Sequence, residues 1–128
     1  MKIDAVSVSS SNLKKTVQFY TLLGFTFHNF KDDEDHLEPT TLDGSAKLMI
    51  DSEKMVRNII GENPKPGNHS SFAIQYDSPS ELNEVVEKLK EQNFIVVKEP
   101  WDAFWGQRYA IVQDPDGYKV DLYAALVG

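Results

Sequence analysis

Cysteine is absent from the 128 residues, which excludes disulfides and thiolate metal sites and fits a reducing compartment. No apolar run approaches the ~18 residues needed to span a bilayer. Nothing near the amino terminus joins a basic region to an apolar core of signal-peptide length. The expectation is a cytoplasmic protein with no membrane partner. Basic residues are also short: 13 Lys and Arg against 20 Asp and Glu leave a formal charge of −7. Phosphate-directed binding draws its affinity from clustered cations, so nucleic acid is not an expected partner, and a neutral or cationic ligand is easier to accommodate. The chain also lacks a Gly-x-Ser-x-Gly elbow and a phosphate-cradling glycine-rich loop, which removes the common nucleophilic and nucleotide-binding schemes.

What is present is ordinary for a globular chain. A hydrophobic share of 41% with 26% charged residues is enough to bury the core of one domain. Part of the acidic excess lies in Asp32-Asp-Glu-Asp35 with Glu38; such a run either sits in solvent or steers a cation.

Periodicity divides the chain into two similar halves. Ile3 to Ser9 reads as a strand, and Asn12 caps a helix with Leu13, Val17, Phe19 and Tyr20 inside and Gly24 at its C-cap. Strands are predicted near Phe25 to Phe30, His36 to Leu42 and Ala46 to Asp51, with Asp43-Gly44 turning between the last two. A short helical pattern and the segment Gly61-Glu-Asn-Pro-Lys-Pro-Gly67 form a linker over about 52–67. Ser70 to Asp77 is then a strand, Ser80 caps a helix through Gln92 with Leu82, Val85, Val86 and Leu89 inside, and three strands follow from Phe94. Leu13, Val17, Gly24 and Phe25 recur at one constant offset as Leu82, Val86, Asn93 and Phe94. Asn and Gly both tolerate a left-handed helix end, so the substitution fits a diverged duplication. The reading is one α+β domain of two paired βαβββ modules, about 1–51 and 68–126.

The richest local signal runs from Trp105-Gly106 through Asp114-Pro-Asp-Gly117 to Tyr123. Strands Arg108 to Gln113 and Tyr118 to Ala124 flank a turn in which Pro115 presets one dihedral and Gly117 supplies a positive φ. Together with Asn12-Leu-Lys-Lys-Thr-Val-Gln-Phe-Tyr-Thr-Leu-Leu-Gly-Phe25, this resembles the vicinal-oxygen-chelate superfamily of glyoxalases, extradiol dioxygenases and bleomycin-resistance proteins. The resemblance covers Ile3 to Ala124 and implies modules curled into a partial barrel around a cavity. Its metal-dependent members place His, Glu or Gln on four inward strand positions, which here fall on Ala5, Met49, Ser71 and Asp121. One carboxylate and one hydroxyl do not make the three or four N/O ligands of a catalytic metal, so no metal and no cofactor are expected. His69, two residues from Ser71, would keep the same strand face if the alignment slipped. His28 and His36 read as satisfied or solvent-facing.

Alternation adds Ser7, Ser9, Lys47, Asp51, Ala73, Gln75 and Tyr123 to the inward faces. Val6, Val8, Leu48, Ile50, Phe72, Ile74, Val120 and Leu122 fall on the opposite faces, toward the helices. The candidate ligand-binding set is Ser7, Ser9, Met49, Ser71, Gln75, Trp101, Phe104, Trp105, Arg108, Tyr109 and Tyr123. The aromatics form a stacking wall for planar or cationic groups, and Arg108 either clamps an anionic group or pairs with a nearby carboxylate. In the antibiotic-binding relatives a Trp-Gly segment ahead of the Asp-Pro-Asp-Gly turn is common.

These residues lead to metal-independent binding and sequestration of a small molecule, with basic aromatic antibiotics suiting the acidic composition. The resemblance implies a homodimeric pocket and an antibiotic-resistance role. The alternative is a glyoxalase-like lyase or isomerase with an atypical metal site, or with Asp121 as general base, since a carboxylate in a partly dry pocket can accept a carbon-bound proton. A third class is a non-catalytic interaction module whose cavity has closed.

Overall fold

The computed structural model describes residues 1–68 and 71–126. The chain divides into two compact units, Met1–Pro66 and Gly67–Gly128. The first carries β1 (Ala5–Ser10), α1 (Leu13–Leu23), β2 (His36–Leu37), β3 (Lys47–Ser52) and α2 (Glu53–Ile60). The second carries β4 (Phe72–Gln75), α3 (Pro79–Glu91), β5 (Ile95–Ala103), β6 (Gln107–Gln113) and β7 (Lys119–Ala125). Among the described residues the fold is α+β with three helices and two sheets, and neither sheet closes on itself.

The first sheet has the order β1-β3-β2, with β1 parallel to β3 and β2 antiparallel to it. The second has the order β4-β7-β6-β5, with β4 parallel to β7 and the remaining pairs antiparallel. In both units the first strand therefore lies parallel beside the last, as a duplicated module requires.

Local chemistry explains the helices. In α1 the Asn12 side chain accepts from the Lys15 amide, and Gly24 closes the helix at φ 119°. The buried stripe is Leu13, Thr16, Val17, Phe19, Tyr20 and Leu23, and Thr16 meets Ser10 hydroxyl to hydroxyl at 2.6 Å. At the end of α3, Asn93 sits at φ 65°, the left-handed place that Gly24 holds in the first unit. The cap of α3 is Ser78 rather than Ser80: its hydroxyl accepts from the Glu81 amide, with Pro79 opening the first turn. Proline fits there because the first helical N–H has no intrahelical partner, which moves the start two residues upstream of the expected one.

Strand faces separate as alternation predicts. Val8, Leu48, Ile50, Val120 and Leu122 are buried. In the second unit α3 packs on its sheet with Leu82, Val86 and Leu89 buried. Full burial of each such side chain contributes about 1.5–3 kcal/mol.

Two expected strands of the first unit do not form as drawn. Residues 25–30 are irregular, and the segment from His36 keeps only His36–Leu37 as strand. Pro39 has no N–H to donate and interrupts the ladder; one backbone bond, Thr40 N to Thr26 O at 2.8 Å, joins the two stretches. The short helical pattern after Ser52 is α2, which Ser52 caps by accepting from the Met55 amide. In the second unit β4 begins at Phe72; Ser70 and His69 lie outside the described residues.

Candidate functional site

The hairpin β6–β7 assembles an aromatic face. Strand register aligns Trp101 with Tyr109, Tyr109 with Tyr123, and Tyr123 with Gln75, making one row across all four strands of the second sheet. The Tyr109 and Tyr123 rings lie 6.2 Å apart and nearly parallel, while Trp101 meets Tyr109 edge-on at 5.5 Å. The turn after β5 adds Trp105, whose ring is 5.4 Å from Tyr109 and 6.1 Å from Trp101. The Trp105 indole N–H donates to the Gln107 side chain at 2.9 Å. Phe104 touches Trp105 at 5.1 Å and is otherwise 97% exposed. Edge-on and offset pairs at these separations are favourable ring geometries, so the wall is held in shape with one end open to solvent.

Asp121 lies on the same face. Its Oδ2 accepts from the Tyr109 hydroxyl at 2.5 Å, a diagonal contact between adjacent strands. Burial first, then the hydrogen bond to the Asp121 carboxylate, pushes the Tyr109 phenol up to about 12. A phenol held protonated in the fold stabilises it below the ordinary tyrosine range, and that contribution is lost as the pH rises from about 10 toward about 12. Ultraviolet titration should therefore find Tyr109 ionising late, as it should Tyr76, whose phenol burial also raises. In Asp121→Asn the Tyr109 titration should move down only partway, because burial remains.

Lys98 places its ammonium 5.0 Å from the centre of the Trp101 ring. Alternation alone would put residues three apart on opposite faces. Register shifts between Val96 and Lys98 and between Lys98 and Trp101 overturn that parity, so this neighbour had no sequence signal.

Arg108 does not join the wall. Its neighbours Ala110 and Val112, on the same strand face, are buried. Its Nε donates to Asn83 of α3 at 3.1 Å and its Nη1 to Asp102 at 3.0 Å. Of the two roles expected for it, the carboxylate pairing is the one in place. Gln75 is exposed at the end of β4, and Ser71 is exposed just before that strand.

Ser7, Ser9 and Met49 belong to the first unit. Ser7 aligns with Met49 and Ser9 with Asp51 on the odd-numbered face of β1 and β3. Ser7 is exposed, whereas Ser9 is buried and its hydroxyl has no partner among the described residues. The same sheet extends this polar row to His36, which aligns with Asp51. Its ring nitrogens lie 2.6 Å from Asp51 Oδ1 and 2.6 Å from Glu38 Oε2. That double contact had no sequence signal either, because it depends on which strand β2 pairs with. A groove of about 550 Å³ runs along α1 and the irregular segment after it, lined in part by Val17, Thr21, Phe25, Phe27, His28 and Phe30. None of the expected binding residues lines it.

The glyoxalase/bleomycin resistance protein/dioxygenase superfamily model matches residues 2–122. The chain belongs to that superfamily. Solved structures of similar fold include a protein of S. aureus described as hypothetical, at 21% identity and TM-score 0.78, covering 97% of this chain and 93% of that one. A glyoxalase/bleomycin resistance protein/dioxygenase from Nocardioides matches at 21% identity and TM-score 0.72, covering 100% and 85%. A lactoylglutathione lyase from Agrobacterium tumefaciens matches at 15% identity and TM-score 0.66, covering 96% and 92%. At such identities these likenesses speak for the fold alone. No curated protein matches the chain.

Within this superfamily the question of a metal turns on the donor set. Ala5 and Met49 offer no hard donor, and Ser71 and Asp121 are too few. Among the described residues no group of three or more His, Asp or Glu side chains is placed to hold a metal ion. The residues at these four aligned positions do not fit the metal-dependent pattern. Nor is any helix among the described residues long and apolar enough to cross a membrane.

Proposed function

We infer that this superfamily member binds a small planar aromatic molecule by stacking, without a metal and without covalent chemistry, in the manner of a sequestering protein. The observation that carries the reading is the Trp101–Trp105–Tyr109–Tyr123 wall, pre-shaped by ring contacts and ending in the exposed Phe104. Rigid aromatic surface captures planar groups at small cost in conformational entropy. A formal charge of −7 favours a ligand that is also basic, with aromatic cationic antibiotics as the class to try and homodimeric pairing as the expected assembly.

The test is intrinsic tryptophan fluorescence of metal-stripped protein, titrated with a panel of basic aromatic antibiotics and repeated with nickel, zinc, manganese or iron(II). Saturable quenching that is indifferent to metal supports sequestration. Binding or turnover that arises only with metal overturns it.

A second reading has one specific observation behind it. Asp121 faces the aromatic wall with one oxygen held by the Tyr109 hydroxyl, the placement a general base of a lyase or isomerase would need. Under that reading Asp121→Asn abolishes turnover of a carbonyl substrate while leaving its binding intact. Loss of binding and turnover together would speak against a base.

A further inference from the structure

His36 is flanked on both sides by carboxylates. Nδ1 lies 2.6 Å from Asp51 of β3, and Nε2 lies 2.6 Å from Glu38, which follows β2. A neutral imidazole has one N–H and one lone pair, so it can donate to only one carboxylate. Donating to both ionised carboxylates at once takes two N–H groups, which only the imidazolium has. Around this ring the chain is stapled further: the Ser52 amide donates to the Asp35 carbonyl at 2.8 Å and the Ser52 hydroxyl to the Asp35 carboxylate at 2.9 Å. Strand β2 itself holds only two residues against β3, so these side chains carry much of its attachment.

We propose that His36 is a proton-operated clasp that fixes the acidic segment 31–38 to β3, and that its deprotonation opens that edge and uncovers the Asp51 carboxylate beside Ser9. The inference stands whether or not the aromatic wall binds a ligand. The charges around the ring are accounted for element by element. Glu38 and Asp51 face it; Asp35 is turned to Ser52; on α2, Glu53 and Arg57 are paired with each other at 3.4 Å; and Lys47, at the start of β3, pairs with Asp4 at 3.7 Å. The hydrogen bonds to Glu38 and then Asp51 raise the imidazole above its ordinary value of 6.5. A raised histidine stabilises the closed form fully below the free-imidazole value, and that contribution is lost as the pH climbs through the raised one. The open state becomes about tenfold more populated for each pH unit by which His36 titrates above a free imidazole.

The experiment is NMR on the full chain without ligand: ring titration of His36, and hydrogen exchange of the Leu37 and Ser52 amides between about pH 5 and about pH 9. The wild-type ring should titrate above a free imidazole, and opening at both amides, corrected for intrinsic exchange, should rise about tenfold per unit of that displacement. His36→Gln should abolish this pH dependence, and Asp51→Asn should bring the ring's titration down. A His36 ring titrating at or below 6.5, or amide opening with the same pH profile in wild type and His36→Gln, overturns the clasp.

Discussion

Replacing Asp114 by Ala is expected to cost about 2–4 kcal/mol of stability, because charge-assisted hydrogen bonds contribute about 1.5–3 kcal/mol and buried donors left unpaired cost more. Asp114 is 1% exposed and stands at the first position of the Asp-Pro-Asp-Gly turn. Its Oδ1 accepts from the Asp116 amide at 2.9 Å and the Tyr118 amide at 3.0 Å. Its backbone N–H donates to the Tyr118 carbonyl at 2.8 Å, and its carbonyl accepts from Gly117, at φ 95°, at 3.0 Å. The side chain therefore pins the turn that sets the register of β6 against β7, and with it the alignment of Tyr109 with Tyr123. Asp114→Asn keeps one accepting oxygen and should lose less. Urea unfolding at neutral pH reads the effect as a lower midpoint at unchanged slope. A variant as stable as wild type would mean the turn is held by its backbone alone.

Trp105→Ala should weaken a stacked ligand about ten- to a hundredfold, the cost of about 1.4–2.8 kcal/mol common for a central aromatic contact. Trp105 touches Trp101, Phe104 and Tyr109, so its loss removes both contact area and the edge that holds the other rings. It is also 49% exposed, so truncation should change stability little and the binding effect can be read cleanly. Phe104→Ala is the companion variant: with 97% exposure and Trp105 as its ring partner, it should weaken binding less. Calorimetry with whichever panel compound quenches wild-type fluorescence measures both without relying on the deleted fluorophore. Equal and negligible losses would remove the wall as the binding surface.

Much of this was legible because the signals were local. The caps at Asn12 and Gly24 and the left-handed Asn93 follow from side-chain hydrogen bonding and steric freedom at single positions. Alternation sorted Val8, Leu48, Ile50, Val120 and Leu122 from the polar faces because the pleat has a fixed period of two. The strand expected at residues 25–30 failed because a strand needs a hydrogen-bonding neighbour, and alternation in one segment carries no information about the proline in the other. The site was less legible for the same reason. Tyr123 could be placed on the inward face from spacing, but its stacking on Tyr109 and the bond from Tyr109 to Asp121 depend on the exact pairing of two strands.

The sequence by itself determined the α+β class, the superfamily, the buried faces and the turn at Asp114, since each rests on residue type and short-range spacing. Only the tertiary structure decided that Lys98 lies over Trp101, that Arg108 turns to Asn83 and Asp102, and that His36 is clasped by Asp51 and Glu38. Those contacts join strands whose register and bulges arise from packing of the whole sheet, and a side chain's partner across a sheet is fixed by that register rather than by its own neighbours in the chain.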